Sequence, residues 1–192
     1  MGKIVKETNH REAEKEQNRE PRIRQAVEAE MDTIMELYRK ARQFMADHGN
    51  PRQWPPAYPP GEMVLQDIRD GHMFVCVAEG QIRAVFYYRQ GQEPDYQDIR
   101  DGQWINEEPY GVVHRITSDG SVKGAGSFCL QWAFLQCKNL KIDTHRDNVV
   151  MQNLLKKNGF QYCGIIHIRN GEERLAYQKG PDGRQIPKSI ER

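Results

Sequence analysis

The stretch that decides the fold is GVVHRITSDGSVKGAGSFCLQWAF, residues 111–134. It places an apolar strand, a glycine-rich turn and an apolar helix in direct succession. Gly124 and Gly126 allow the backbone to approach a ligand closely, and the start of the following helix offers unpaired N–H groups at the positive end of its dipole. Lys123 adds a positive charge at the same place. The segment therefore predicts a site for a phosphate-bearing ligand.

Three interpretations of this glycine-rich turn compete. In the first, the glycines only turn the chain. In the second they form a dinucleotide fingerprint, because Asp143 lies at a suitable distance downstream. Against it, Cys129 replaces the third glycine, and Gly124 comes eight residues after Ile116 instead of directly after the strand. A nucleoside triphosphate loop is absent, because Lys123 precedes its glycine. The third interpretation is a site for the phosphates of a different cofactor, and it depends on the sequence before and after the turn.

The chain around this segment alternates between strands and helices. The hydrophobic pattern predicts, in order, strand 22–27, helix 28–45, proline-rich loop 49–60, helix 61–70, hairpin strands 72–78 and 81–88, polar loop 90–108, strand 110–116, helix 127–138, strand 140–144, helix 148–157, and strands 160–168 and 173–178. Residues 21–179 are therefore predicted to form one domain. Residues 1–20 are expected to be a disordered or solvated extension, and residues 180–192 a flexible tail.

At this point the sequence resembles the GNAT family of N-acetyltransferases, whose pyrophosphate signature is Gln/Arg-x-x-Gly-x-Gly/Ala. Residues 121–126 read SVKGAG, so both glycines match, whereas Ser121 replaces the Gln or Arg. One strand later, Asn148 precedes Gly159 and Phe160 at the spacing of the family's Asn-x10-Gly-Phe helix. The two motifs together, with the order of elements over residues 22–179, carry the resemblance.

The resemblance implies an α/β fold with a mixed, mostly antiparallel central sheet, flanked by helices and splayed at the cofactor strand. It also implies acetyl-CoA as co-substrate and transfer of the acetyl group to a primary amine by direct attack. In the family, the backbone of the strand before the glycine loop holds the pantetheine arm and polarises the thioester carbonyl. The cofactor-binding residues carried over are Ile116, Thr117, Val122, Lys123, Gly124, Ala125, Gly126, Ser127 and Asn148.

Acyl transfer to an amine requires a group that removes a proton from that amine. Strict alternation along the strand places His114 on the same face as Ile116, whose backbone the resemblance puts beside the acetyl group as a catalytic element. His114 is therefore one candidate base, and the alternatives are a satisfied core histidine or a residue that shapes the substrate site. His145, after the next strand, is a second candidate. Leu155 occupies the position of the family's frequent acid, a tyrosine.

Two regions are candidates for binding the acceptor. The proline-rich loop carries Trp54 and Tyr58, which we expect to form one wall of the site, since stiff loops hold recognition residues on a fixed scaffold. In the alternative, Trp54 only packs over the core. Glu108 and Tyr110 precede or begin the cofactor strand, and we expect them to recognise the amine.

Two further features are interpreted as structural. A buried Arg115 would need a carboxylate partner, for which Asp143 is the candidate. Cys129 lies inside the helix after the glycine loop and is interpreted as a core thiol. The remaining cysteines are scattered without the paired spacing of a metal site, so no metal is predicted.

Composition argues against several classes of function. Lys and Arg total 28 against 27 Asp and Glu, so the formal net charge is +1 and no overall field favours nucleic acid or an anionic membrane. No apolar run approaches the roughly 20 residues that a membrane span requires. The sequence therefore predicts a cytoplasmic protein with reduced thiols, and exposed sheet edges are compatible with a homodimer.

Taken together, these patterns predict an acetyl-CoA-dependent N-acyltransferase that acts on a small-molecule or peptide amine. The alternative is a catalytically degenerate acyl-CoA-binding sensor or scaffold, which Ser121 and Leu155 favour because each departs from the family pattern. A dinucleotide-binding oxidoreductase is the third hypothesis. Many amines present the same reactive group, so the pattern does not predict which amine is the acceptor.

Overall fold

A computed structural model of the protein describes residues 20–181, in which one eight-stranded sheet lies between two pairs of helices. The strands are β1 (Arg22–Gln25), β2 (Met73–Ala78), β3 (Gln81–Gln90), β4 (Ile99–Arg100), β5 (Gly111–Ser118), β6 (Leu140–Thr144), β7 (Gln161–His167) and β8 (Glu173–Lys179). The α-helices are α1 (Met31–Asp47), α2 (Gly61–Arg69), α3 (Ala125–Cys137) and α4 (Val149–Lys157). Two short 3-10 helices span Glu28–Glu30 and Pro94–Tyr96.

The sheet has the strand order β1-β2-β3-β5-β6-β8-β7-β4. Every neighbouring pair in it is antiparallel except β5 and β6, which run parallel. A parallel pair needs a crossover connection, and α3 supplies it between β5 and β6. The predicted fold class, a mixed and mostly antiparallel sheet flanked by helices, is confirmed.

Alternation along the central strands divides the core between the two faces of the sheet. Val75 of β2 and Val85 of β3 pack with α1 and α2 on one face, whereas Cys76 and Phe86 pack with α3 and α4 on the other. The helices contribute fully or almost fully buried side chains to these layers: Ile34, Leu37, Tyr38, Val64 and Ile68 on the first face, and Cys129, Leu130, Ala133 and Leu155 on the second. Cys129 is thus a core thiol, as interpreted from the sequence.

The segment 90–108 contains more structure than the polar loop predicted for it. It holds the 3-10 helix Pro94–Tyr96 and strand β4, which pairs with β7. Tyr96 and Trp104 are buried in a third cluster between this segment and the β7–β8 hairpin, and the Trp104 indole donates to the Tyr96 carbonyl at 2.9 Å. The prediction was wrong because two isolated aromatic residues and a two-residue strand give no periodic pattern.

The remaining elements follow the predicted order, with ends displaced by a few residues. Helix α3 begins at Ala125 instead of residue 127, and β5 continues to Ser118. The predicted extension at 1–20 and the tail at 180–192 lie almost entirely outside the described residues. Within residues 20–181, no helix has the length and apolar character needed to cross a membrane.

Candidate active site

The parallel strands β5 and β6 separate soon after they begin. They pair only at Gly111 with Leu140 and at Val112 with Lys141. Beyond these pairs the two strands diverge, and a cavity of about 1050 Å³ opens where they part. Residues 113–118 of β5 line this cavity, as do Ile142, Asp143 and Thr144 of β6. The structure thus has the splay predicted for the cofactor strand.

A β-bulge interrupts β5 at the point of divergence. Tyr87 pairs with His114 and Val85 pairs with Thr117, so one residue of β3 faces two residues of β5. Arg115, the first of these two, has a φ of 51°. A non-glycine residue in the left-handed region costs on the order of 1 kcal/mol or more and is held there by its surroundings.

The bulge changes which side chains share a face of β5. Ile116 packs against the core layer of α3 and α4, together with Val113. His114 lies opposite Tyr87 on the other face, because alternation up to the bulge separates it from Val113. The prediction that His114 and Ile116 share a face was therefore wrong. Both residues still line the cavity, since it passes through the split between the strands.

Arg115 is held by α2. Its guanidinium Nη2 donates to Asp67 Oδ2 at 2.5 Å, its Nη1 lies 3.2 Å from Met63 Sδ, and its Cζ lies 5.0 Å from the centre of the Tyr87 ring. Burial raises the pKa of the Asp67 carboxyl even though the Arg115 charge opposes this rise. The predicted partner, Asp143, was wrong, because the bulge directs Arg115 toward α2.

His114 stands between two carboxylates. Its Nε2 is 3.3 Å from Glu93 Oε2, and its Nδ1 is 3.7 Å from Asp143 Oδ1. The Tyr96 hydroxyl donates to Asp143 Oδ1 at 2.7 Å, and Arg89 donates to Glu93 Oε2 at 2.9 Å. Burial alone would raise the pKa of Glu93, but its hydrogen bond with His114 and the charges of His114 and Arg89 lower it. All five side chains line the cavity.

Sequence reasoning missed Glu93 and Tyr96 as residues of the site. Both belong to the segment that was interpreted as a polar loop. The signal that points to them is Pro94, which suits the first turn of a short helix and fixes the chain between these two side chains.

The second histidine candidate, His145, lies outside the cavity lining. Its Nδ1 accepts the Asp147 amide hydrogen at 3.2 Å and lies 3.5 Å from the Asp147 carboxylate. Burial and the nearby charge of Arg174 lower the pKa of His145. This ring is engaged within its own loop, so we expect it not to act as the base.

The glycine loop leads into the N-terminus of α3, as its sequence predicts. Gly124 is the N-cap, with a φ of 86°, and a β-carbon there would meet no atom within 4 Å. A β-carbon on Gly126 would lie 3.1 Å from Leu154 Cδ2, so this glycine also permits close packing of α3 on α4. The exposed Lys123 stands beside this helix start. The loop therefore has the open, positively polarised end that an anion requires.

The other predicted cofactor residues of this loop have identifiable structural contacts. Val122 packs against the core and accepts the Ala125 amide hydrogen at 3.2 Å. Ser127 Oγ accepts from Asn158 Nδ2 at 3.0 Å, which ties α3 to the end of α4. Of residues 122–127, Gly126 lines the cavity and the others do not.

Asn148 lines the cavity as the N-cap of α4. Its Oδ1 accepts the Met151 amide hydrogen at 3.0 Å, and its Nδ2 donates to Gln53 Oε1 at 2.8 Å. Its side chain therefore connects α4 to the proline-rich loop. Leu155, where the family's tyrosine would stand, is fully buried.

The predicted acceptor residues divide into two groups. Trp54 and Tyr58 line the cavity with ring centres 5.8 Å apart, and Trp54 also makes an edge-to-face contact with Tyr38 of the core. Glu108 is exposed, and the Tyr110 hydroxyl accepts the Glu93 amide hydrogen. Neither of these last two predicted residues lines the cavity, because they precede the split at the opposite end of β5.

Comparison with solved structures identifies the family of this chain. A GNAT-family acetyltransferase from Streptococcus agalactiae is 34% identical, with a TM-score of 0.72, and the match covers 83% of this chain and 94% of that one. The chain therefore belongs to the GNAT family of acetyltransferases.

More distant structures share the fold. A ribosomal-protein-alanine N-acetyltransferase from Brucella melitensis is 19% identical over 82% of this chain and 98% of its own, with a TM-score of 0.56. The protein yncA from Salmonella typhimurium, solved with acetyl-CoA, is 14% identical over 88% of this chain and 98% of its own, with a TM-score of 0.54. No family model and no curated protein matches the sequence.

Proposed function

We propose that this protein is an acetyl-CoA-dependent N-acetyltransferase that acetylates a primary amine by direct attack. The observation that carries the proposal is the split between β5 and β6, which opens one cavity from the N-terminus of α3 to the carboxylate-flanked His114. Membership of the GNAT family supports the transfer of an acetyl group. Acetyl-CoA in the yncA structure supports the identity of the donor.

The residues around the split fit a ligand of this shape and charge. Beyond Val112, β5 has no ladder partner on the β6 side in the described chain, so its backbone groups there remain available to the amides of a pantetheine arm. Open space at Gly124 and the charge of Lys123 suit the pyrophosphate. Ile116, Thr117 and the loop residues would hold the donor, which supplies an acetyl thioester when bound.

His114 is the proposed base. A neutral amine is needed for attack on the thioester carbonyl, and a histidine that lines the cavity is suited to remove the proton released on attack. Glu93 and Asp143 stand beside the two ring nitrogens, so they orient the ring. Leu155 has no proton to donate, so we propose that solvent protonates the departing thiolate.

The proposal is tested by binding and turnover measured separately. Acetyl-CoA should raise the melting temperature of the protein, whereas NAD and NADP should not. Mixing with acetyl-CoA and a panel of primary amines should then release free thiol in proportion to acetylated amine. Tight binding of acetyl-CoA without thiol release from any amine would support the sensor hypothesis instead.

A further inference from the structure

The cavity has an apolar wall that the proposed chemistry does not use. Three of the large hydrophobic side chains exposed in residues 20–181 line this one cavity: Phe44 at 48%, Met63 at 38% and Val150 at 52% exposure. Trp54 and Pro55 continue the same lining. Clustered exposed apolar side chains in a cavity indicate a ligand that buries them.

This wall is continuous with the proposed base. Met63 of α2 lies 3.2 Å from the Arg115 guanidinium, which in turn covers the Tyr87 ring. The Tyr87 ring centre lies 5.8 Å from that of His114. A molecule whose amine reaches His114 can therefore lie along side chains of α1 and α2.

The aromatic part of the wall is held in place before any ligand binds. Trp54 packs against Tyr38 with ring centres 5.7 Å apart and against Tyr58 at 5.8 Å. Arg42 donates to the Tyr58 carbonyl at 2.6 Å, which fixes the proline-rich loop on α1. A preformed apolar surface loses little conformational entropy when it binds an apolar group.

The carboxylates of the cavity, by contrast, are already engaged within the described chain. Asp67 pairs with Arg115 at 2.5 Å, Glu93 with Arg89 at 2.9 Å, and Glu172 with Arg174 at 2.7 Å. The other two lining carboxylates, Asp95 and Asp143, lie 3.9 Å from Arg169 and 2.7 Å from the Tyr96 hydroxyl respectively. A second cationic group on the acceptor would therefore meet carboxylates that each already have a cationic or hydroxyl partner.

We infer that the acceptor is a monoamine carried on an apolar aliphatic or aromatic body, which lies along Phe44, Trp54 and Met63 while its amine faces His114. This inference rests on the proposed function and names the substrate class of the same site. It favours alkyl and arylalkyl amines over polyamines and over short hydroxylated amines.

The test compares kcat/KM for propylamine, hexylamine, 2-phenylethylamine, ethanolamine and spermidine with the full chain and saturating acetyl-CoA. Each methylene between propylamine and hexylamine that becomes fully buried should raise kcat/KM about fourfold. Ethanolamine and spermidine should be poorer acceptors than hexylamine. No dependence on chain length, or a preference for spermidine, would overturn the inference while thiol release left the proposed function intact.

Variants test whether the dependence of kcat/KM on chain length comes from the apolar wall of the cavity. Phe44→Ser should lower the ratio of hexylamine to propylamine kcat/KM, and Phe44→Leu should restore it. Leu135→Ser is the matched control, because Leu135 is 60% exposed but does not line the cavity. A general folding defect would lower the rates for both amines equally and so would not change their ratio. An unchanged ratio in Phe44→Ser would therefore contradict the inference. Failure of every amine to release thiol would overturn both proposals.

Discussion

The closed half of β5, residues 111–112, and its open half, residues 113–118, belong to one strand but differ in their surroundings. The closed half is bonded on both sides, to β3 and to β6, and lies in the core. The open half keeps β3 but loses β6 after the second pair, and it lines the cavity. The same strand thus supplies stability at one end and exposed functional groups at the other.

The difference shows how a sheet can open a cavity between two of its strands without losing its core. Separation of parallel strands leaves backbone groups without ladder partners, which is costly unless another group satisfies them. The bulge at Arg115 reorients the open half, and its link to Asp67 anchors that half to α2. Substitutions in the two halves should therefore affect different measured quantities.

The largest effect is expected in the open half, at His114. His114→Ala should lower kcat/KM about 100-fold or more, the usual contribution of a general base, and should remove the acidic limb of its pH profile. The melting temperature should change little, because the ring is partly exposed. His145→Ala is the control and should leave the profile as it is, since that ring does not line the cavity. An unchanged pH profile in His114→Ala would exclude it as the base.

The elements of the fold could be predicted because their signals are local. Helical spacing, the Gly124 turn and the Asn148 to Phe160 spacing are each read from a contiguous stretch of chain. The proposed cofactor site is built mainly of backbone at such a stretch, so the sequence was enough to propose its position. Its atomic contacts, such as that between Gly126 and Leu154, depend on packing between helices and were not.

The carboxylate cluster around His114 could not be predicted in the same way. Glu93, His114 and Asp143 come from a loop and two strands, and only the folded sheet brings them together. The bulge was also hidden, because Arg115 has no intrinsic preference for a left-handed φ and adopts it within the surrounding contacts. Alternation is a rule for unbroken strands, and it fails where a bulge inserts one residue.

The next largest effect concerns Lys141, which pairs with the closed half. This lysine is 2% exposed, and its Nζ lies 4.1 Å from the ring centres of both Trp104 and Tyr110. Burial lowers the pKa of Lys141 from 10.5 to about 8. Between these values the unfolded chain binds more protons than the folded one, so the lysine makes stability rise with pH over this window.

Replacement of Lys141 should remove its contribution to the rise of the free energy of unfolding with pH. Relative to Lys141→Met, the free energy of unfolding of the wild type should increase by up to about 3 kcal/mol between pH 8 and 10.5. Urea unfolding of both proteins at the two pH values measures this difference in the free energy of unfolding. Subtracting the value for Lys141→Met from that of the wild type cancels the contributions of other groups that titrate in this range. A constant difference would show that the lysine stays charged in the folded protein.

A smaller loss of stability is expected at Gly111, also in the closed half. A β-carbon at this position would lie 2.9 Å from both Cys137 Sγ and Tyr88 Cε2. Gly111→Ala should therefore lower the free energy of unfolding by roughly 1–3 kcal/mol through overpacking. Gly61→Ala is the matched control, since its nearest atom would be 4.0 Å away. Equal unfolding midpoints in urea for the two variants would contradict the close packing of the closed half.

The smallest effect is expected at Asn148, across the split from the open half. Loss of the N-cap in Asn148→Ala should destabilise the protein by about 1 kcal/mol. Asn148→Asp keeps a capping oxygen but removes the amide that donates to Gln53. Stability should therefore recover in Asn148→Asp. If the Asn148 amide contacts the cofactor, as the family resemblance implies, the KM for acetyl-CoA should be raised in both variants. A wild-type KM for acetyl-CoA in Asn148→Asp would contradict a cofactor contact by the Asn148 amide, and Asn148 would then serve only as the helix cap. The proposed cofactor contacts would in that case be limited to the backbone of β5 and the glycine loop.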